Sequence, residues 1–242
     1  MTISPRVMRT GLLIGEQGIQ VLRQATVMII GVGAVGGYAL EAIARAGVGH
    51  IIVVDFDTFD ETNINRQILA LSSTIGRKKV DVARERIKEI NPDCVVETKD
   101  LLVSSETLPT LLDAKVDMVI DAIDSLNAKC CLIEELVRRD IPFISSMGAA
   151  LKTDTNRIKI GTLDKTVNCS LSRLVRQRLR RREVDISKVK CVYSDEPAQQ
   201  QAILTSKTEG ERNTLGSLPT ITAIFGLTIA NEVIKTLVNK GK

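Results

Sequence analysis

Thr26-Val27-Met28-Ile29-Ile30-Gly31-Val32-Gly33-Ala34-Val35-Gly36 is the stretch that decides the fold. An apolar, strand-like run leads straight into glycines spaced G-x-G-x-x-G, and a helical pattern opens on them at about 34–46. In that setting glycines permit a tight turn, and the helix N-terminus offers free N–H groups to phosphate oxygens. Asp55 ends a second strand 19 residues past Gly36, where a carboxylate can accept from ribose hydroxyls. The motif and the acid together predict a bound nucleotide, with NAD the default guess on these features alone.

Outward from this stretch, short β-branched runs alternate with longer helical patterns. The runs are Thr26 to Ile30, His50 to Val54, Cys94 to Thr98, Asp117 to Ile120 and Pro142 to Ser145; the helices fall at about 34–46, 77–90, 105–113 and 126–138. That alternation predicts an α/β fold, a Rossmann-like doubly wound and mostly parallel sheet. After Ser146 come two more strand-like runs, Arg157 to Gly161 and Lys190 to Ser194, around a basic helix at about 169–182 with Leu171, Leu174, Val175 and Leu179 on one face. A polar stretch over 195–214 reads as a loop. The whole is taken as one domain over 1–242, with a nucleotide-binding half (1–150) and a second half (151–242).

The chain has 242 residues, 44% hydrophobic and 26% charged, which is ordinary globular usage. Two Tyr, four Phe and no Trp leave little aromatic surface for stacking single-stranded bases. His50 is the only histidine, so a His-ligated metal cluster is not expected and a histidine acid–base pair is impossible. Cysteines 94, 130, 131, 169 and 191 are odd in number and irregularly spaced, which fits a reducing cytoplasm better than a disulfide framework. Met1 to Met8 carries no apolar run of the signal-sequence kind. The apolar segment Leu218 to Ala230 is too short for a stable membrane insertion, and at most suggests a peripheral contact. Net charge is +4, but residues 173–182 hold six arginines and no acid, so the rest of the chain carries −2. The basic excess is one patch.

Past Asp55 the chain reads Asp55-Phe56-Asp57-Thr58-Phe59-Asp60-Glu61-Thr62-Asn63-Ile64-Asn65-Arg66-Gln67, then Gly76-Arg77-Lys78-Lys79, then Asp121-Ala122-Ile123-Asp124-Ser125. With Gly31, Gly33 and Gly36 this resembles the ATP site of the E1-like adenylating enzymes (the ThiF, MoeB and HesA superfamily). The resemblance implies that Asp55 binds the ribose, that Asn63 and Gln67 support the adenosine and phosphate pocket, and that Asp57 lies near the reacting centre. Arg66 and Lys79 would clamp the triphosphate, and Asp124 would hold Mg²⁺; such charges suit a leaving pyrophosphate, whereas a dehydrogenase gains nothing from them. Arg9 aligns with an arginine finger that enters the partner subunit's ATP site, implying a homodimer.

Within the superfamily, the zinc-binding cysteine pairs of the MoeB and ThiF branch are missing. The second half instead resembles the tRNA threonylcarbamoyladenosine dehydratase branch, through Ile144 to Lys152, Leu171 to Arg176, Cys191 to Pro197 and Gly216 to Thr220. This implies an ATP-dependent enzyme that adenylates the carboxylate of N6-threonylcarbamoyladenosine at position 37, in the tRNA anticodon loop, and cyclises it. E1-type C-terminal strands and helices are expected after the sheet, with 195–214 as the crossover loop. Arg173, Arg176, Arg178, Arg180, Arg181 and Arg182 would meet tRNA phosphates. Two departures affect loop geometry: Cys169-Ser170 and Asp154-Thr155 stand where the family often has Asp-Pro. The second reading is an activator of a ubiquitin-like or sulfur-carrier protein in a sulfur relay, with a cysteine desulfurase as partner; Glu211-Arg212-Asn213-Thr214 offers no cysteine for a thioester there.

Overall fold

A computed structural model describes residues 3–199, 202–204 and 214–240. Helix α1 (Met8–Gln24) leads into β1 (Thr26–Ile30), α2 (Gly36–Ala46), β2 (His50–Asp55), α3 (Lys79–Ile90) and β3 (Val95–Asp100). A short α4 (Leu108–Leu111), β4 (Met118–Asp121), α5 (Leu126–Arg138) and β5 (Phe143–Ser146) complete the first half. Then follow β6 (Ile158–Thr162), α6 (Ser170–Arg181), β7 (Lys190–Ser194), the two-residue strands β8 (Ile203–Leu204) and β9 (Thr214–Leu215), and α7 (Pro219–Lys240). Seven strands form one sheet in the order β3-β2-β1-β4-β5-β7-β6, all parallel except β6, which runs antiparallel to β7. The expected doubly wound sheet is therefore present, and β6 and β7 from the second half extend it.

Burial explains why β1 and β2 read as continuous apolar runs. Helices cover both faces, so Val27 to Ile30 and Ile51 to Val54 are buried throughout. One face packs with α2 and α7, through residues such as Leu40, Ile43, Phe225 and Ile229. The other packs with α5 and α6, through Ile133, Leu136, Val175 and Leu179. Leu174, placed on that apolar face in the sequence, is instead partly in solvent.

The structure differs from the sequence reading at three places. The helix expected at about 105–113 shrinks to α4, because the Thr107 hydroxyl donates to Leu102 O (2.9 Å) and accepts from Ser104 N–H (2.9 Å), and Pro109 fixes the start. Helix α1, not anticipated as a helix, kinks at Gly15, whose φ of 80° no side chain would favour. The polar stretch 195–214 contains β8 and β9 as an antiparallel pair, while 200–201 and 205–213 lie outside the described residues.

Helix α7 extends ten residues past Ala230, to Lys240. It is long and apolar enough to cross a membrane, yet its buried face is spent on α2 and the sheet. That packing gives no support to a membrane contact. It also demands a glycine: a Cβ on Gly226 would lie 2.4 Å from Val35 O and 2.8 Å from Tyr38 Cβ. Gly226→Ala should therefore lower stability by about 1–3 kcal/mol, read as a lower urea midpoint with an unchanged m-value.

Candidate active site

The site begins where β1 ends. Gly31 leaves the strand at φ 87°, its N–H donating to Val54 O (2.8 Å), and α2 starts five residues later at Gly36. A Cβ on Gly36 would stand 1.8 Å from Gly31 O, so only glycine lets the helix come down on the turn. The Val32 N–H donates to Asp55 Oδ2 (2.8 Å), and Asp57 N–H donates to Asp55 Oδ1 (2.9 Å). Asp55 thus ties the glycine turn to the end of β2. Burial pushes its carboxyl above the usual range, against the opposing pull of nearby Lys79 and the two N–H donors. Each oxygen keeps a lone pair for a further donor such as a ribose hydroxyl.

Around this turn the structure gathers most of the expected residues. Lys79, the first residue of α3, is almost fully buried; its Nζ reaches Asp57 Oδ2 at 3.1 Å and stands 5.9 Å from the Phe59 ring centroid. The neighbouring Lys78 is spent on Asp100 at the surface, so Lys79 is the member of the pair that faces the site. Gln67 is buried beside the turn, with Nε2 3.8 Å from where a Gly33 Cβ would be, and its Oε1 has no hydrogen-bond partner. A buried acceptor without a donor is costly in isolation, and a bound group with an N–H or O–H would satisfy it.

Asn63 and Arg66 are placed differently. Asn63 Oδ1 accepts from Asp60 N–H (3.4 Å) in a capping box, so its side chain shapes the 3-10 turn over Glu61–Asn63. Arg66 is partly exposed, its guanidinium donating to Thr62 O and Asn65 Oδ1 (both 2.8 Å). A clamp from Arg66 would require these bonds to exchange for phosphate. Asp124 is exposed in the turn after β4, the strand beside β1, which puts it at the crevice where strand order reverses.

Sequence reasoning assigned no role to Asp121, Lys129 and Ser145, which form a fully buried cluster beneath this edge: Lys129 Nζ donates to Asp121 Oδ2 at 2.6 Å. The signal available was a lysine in the middle of a helix that is otherwise apolar at Cys130 to Ile133. Cys191 is buried on β7, and desolvation pushes its thiol up to about 12, which fits a packed residue.

On α6 the arginines divide. Arg176 donates to Thr166 O (2.7 Å), Arg178 bonds Asn127 Oδ1, and Arg182 pairs with Glu134 (2.6 Å). Arg173, Arg180 and Arg181 are exposed on the broad side of α6 away from the buried Ser172, Val175 and Leu179, and Arg182, though paired with Glu134, is exposed as well. Arg9 is exposed on the first half of α1, next to Met8, Leu12 and Leu13, of which the two leucines are 83% and 87% exposed.

Fold and site together define an E1-like nucleotide-binding α/β protein. The chain belongs to the ThiF family, whose model matches residues 7–242. It is 45% identical over 188 residues to the tRNA threonylcarbamoyladenosine dehydratase of Bacillus subtilis, spanning 78% of this chain and 74% of that protein. The Haemophilus influenzae protein of the same name is 38% identical, over 90% of this chain and 88% of its own. Crystal structures of Escherichia coli tRNA N6-threonylcarbamoyladenosine dehydratase in complex with AMP and with ATP superpose with a TM-score of 0.88 at 32% identity, covering 99% of this chain and 98% of theirs. The Escherichia coli molybdopterin-synthase adenylyltransferase, by contrast, matches 57% of this chain and 54% of its own, at 32% identity.

Proposed function

We propose that this chain is an ATP-dependent tRNA threonylcarbamoyladenosine dehydratase, acting in the cytoplasm on N6-threonylcarbamoyladenosine at position 37. The observation that carries this reading is likeness over 99% of the chain to a dehydratase solved with AMP and ATP. In the reaction, the threonyl carboxylate attacks the α-phosphate of ATP and pyrophosphate leaves. An internal nucleophile of the same modified group then attacks the acyl-adenylate carbon, and AMP departs with the carboxylate oxygen. Net loss of water closes the ring.

The chain's part is to hold charge. The glycine turn and the head of α2 offer N–H groups to phosphate, Asp55 accepts from the ribose, and Lys79 supplies a buried cation. Lys79 pairs with the half-exposed Asp57, and a bound triphosphate would compete with that carboxylate for its ammonium. Among the described residues no three-carboxylate cage exists, and Asp124 with phosphate oxygens is the kind of donor set Mg²⁺ accepts. When bound there, Mg²⁺ offsets the charge on the phosphates and polarises the α-phosphorus.

Arg9 on an exposed, apolar first helix supports a homodimer in which it completes the partner's site. The outward arginines Arg173, Arg180 and Arg181 support tRNA binding, while Arg176, Arg178 and Arg182 serve mainly to dock α6. Activation of a ubiquitin-like or sulfur-carrier protein, with a cysteine desulfurase in the relay, is the weaker reading, since adenylyltransferase likeness covers little more than half the chain.

Incubation with ATP, Mg²⁺ and threonylcarbamoylated tRNA should release AMP and yield the cyclic nucleoside by mass spectrometry. AMP release with a sulfur-carrier protein alone would overturn the assignment. Arg9→Ala and Asp124→Ala homodimers should each be inactive, and mixing them should restore about one quarter of wild-type activity through mixed dimers. Changing Arg173, Arg180 and Arg181 together to Ala should lower the slope of log affinity for tRNA against log salt by roughly two to three, with ATP affinity unchanged. The same change at Arg176, Arg178 and Arg182 should mainly lower the melting temperature.

A further inference from the structure

Asp121, Lys129 and Ser145 are completely buried, and none of the roles above uses them. Lys129 Nζ donates to Asp121 Oδ2 at 2.6 Å and to Ser145 Oγ at 3.2 Å, while the Ser145 hydroxyl donates to the same Asp121 oxygen at 2.5 Å. A buried ion pair of this kind adds little to stability compared with packed apolar side chains of equal size. Its value has to be sought in what it positions.

The other carboxylate oxygen supplies the answer. Asp121 Oδ1 accepts from Ile123 N–H at 3.1 Å, which bends the chain just past β4 into the turn that carries Asp124. Ala122 N–H donates to Ile30 O at 2.9 Å, and Ala122 O stands 2.9 Å from where a Gly31 Cβ would be. The turn is therefore wedged between the glycine loop and the buried charge pair, and its free end is Asp124. Lys129 lies four residues past Ser125 on α5, so the same pair also fixes where that helix starts relative to β4 and β5.

We infer that Lys129, acting through Asp121 and Ser145, is a positioning residue that holds the Ala122–Asp124 turn where Asp124 meets the Mg²⁺-bound triphosphate. The inference rests on the adenylating reading above, and touches neither the tRNA nor the ring closure. Removing both charges, with Lys129→Met and Asp121→Leu in one variant, should preserve the fold while freeing the turn.

The test is equilibrium binding of ATP by calorimetry, first in EDTA and then across a Mg²⁺ titration, with thermal melting alongside. The double variant should melt close to the wild type and bind ATP in EDTA within about twofold of it, but lose at least about tenfold of the Mg²⁺-dependent gain in ATP affinity. Ser145→Ala should lose about threefold of that gain, and decides the matter if the double variant does not fold. Wild-type Mg²⁺ coupling in the folded double variant, or in Ser145→Ala where that alone folds, overturns the inference, as does a wild-type protein with no Mg²⁺-dependent gain. Because no tRNA enters this measurement, failure of the dehydratase assay leaves its outcome intact. tRNA-dependent release of AMP from ATP, with unchanged Mg²⁺ coupling in the variants, overturns only the role of Lys129.

Discussion

The close approach of Gly36 to the carbonyl of Gly31 is the constraint on which the rest of the structure depends. A side chain at Gly36 would meet Gly31 O at 1.8 Å, so the helix α2 can descend directly onto the end of β1 only because that carbon is missing. Three further contacts stack on this one. Asp55 reaches across from β2 to Val32 N–H, Ala122 of the β4 turn presses against Gly31, and Gly226 of α7 presses against Val35 at the head of α2. The glycine turn is thus held from the sheet, from the neighbouring strand and from the C-terminal helix. The second half of the chain contributes to the site through backbone fit before any of its side chains is considered.

Most of the fold was legible because its central strands, β1, β2, β4 and β5, are buried on both faces. Runs such as Thr26 to Ile30 and His50 to Asp55 then carry no polar interruptions, and their ends coincide with the glycines and the acid of the candidate site. Helix α1 escaped the reading because Gly15 breaks its periodicity and its first half exposes Leu12 and Leu13, which obscures any single apolar face. The length expected for α4 failed for the opposite reason: local hydroxyl bonds around Thr107 compete with a pattern that is apolar enough for a helix.

The site was legible in residue type more than in placement. Order and spacing pointed to Asp55, Asp57, Gln67 and Lys79, and these do gather at the glycine turn. Charge alone could not separate Lys79 from Lys78, or the three arginines that dock α6 from the three that face outward; that division follows from which carbonyls and carboxylates lie across the helix interface. The role of the buried Lys129 was missed for a related reason. A lysine is normally a surface residue, and nothing in its immediate sequence announces a carboxylate on one strand and a hydroxyl on the next that together replace water around it.

The distribution of titratable groups explains how the site can work with a single histidine. His50 stands at the start of β2, at the amino edge of the sheet beside Glu97, while Gly31, Asp55 and Asp124 stand at the carboxyl edge. That carboxyl edge is furnished with backbone N–H groups, carboxylates, the Gln67 amide and the Lys79 ammonium. Such groups suit a reaction whose difficulty is accumulated phosphate charge, because they stabilise a leaving pyrophosphate by position and need not change protonation as it departs. The proton lost on ring closure comes from the substrate's own nucleophile, after the carboxylate has been turned into a good leaving group. On the proposed reading, the charges gathered at this edge serve activation of the acyl group, and proton transfer by a side chain is not asked of them.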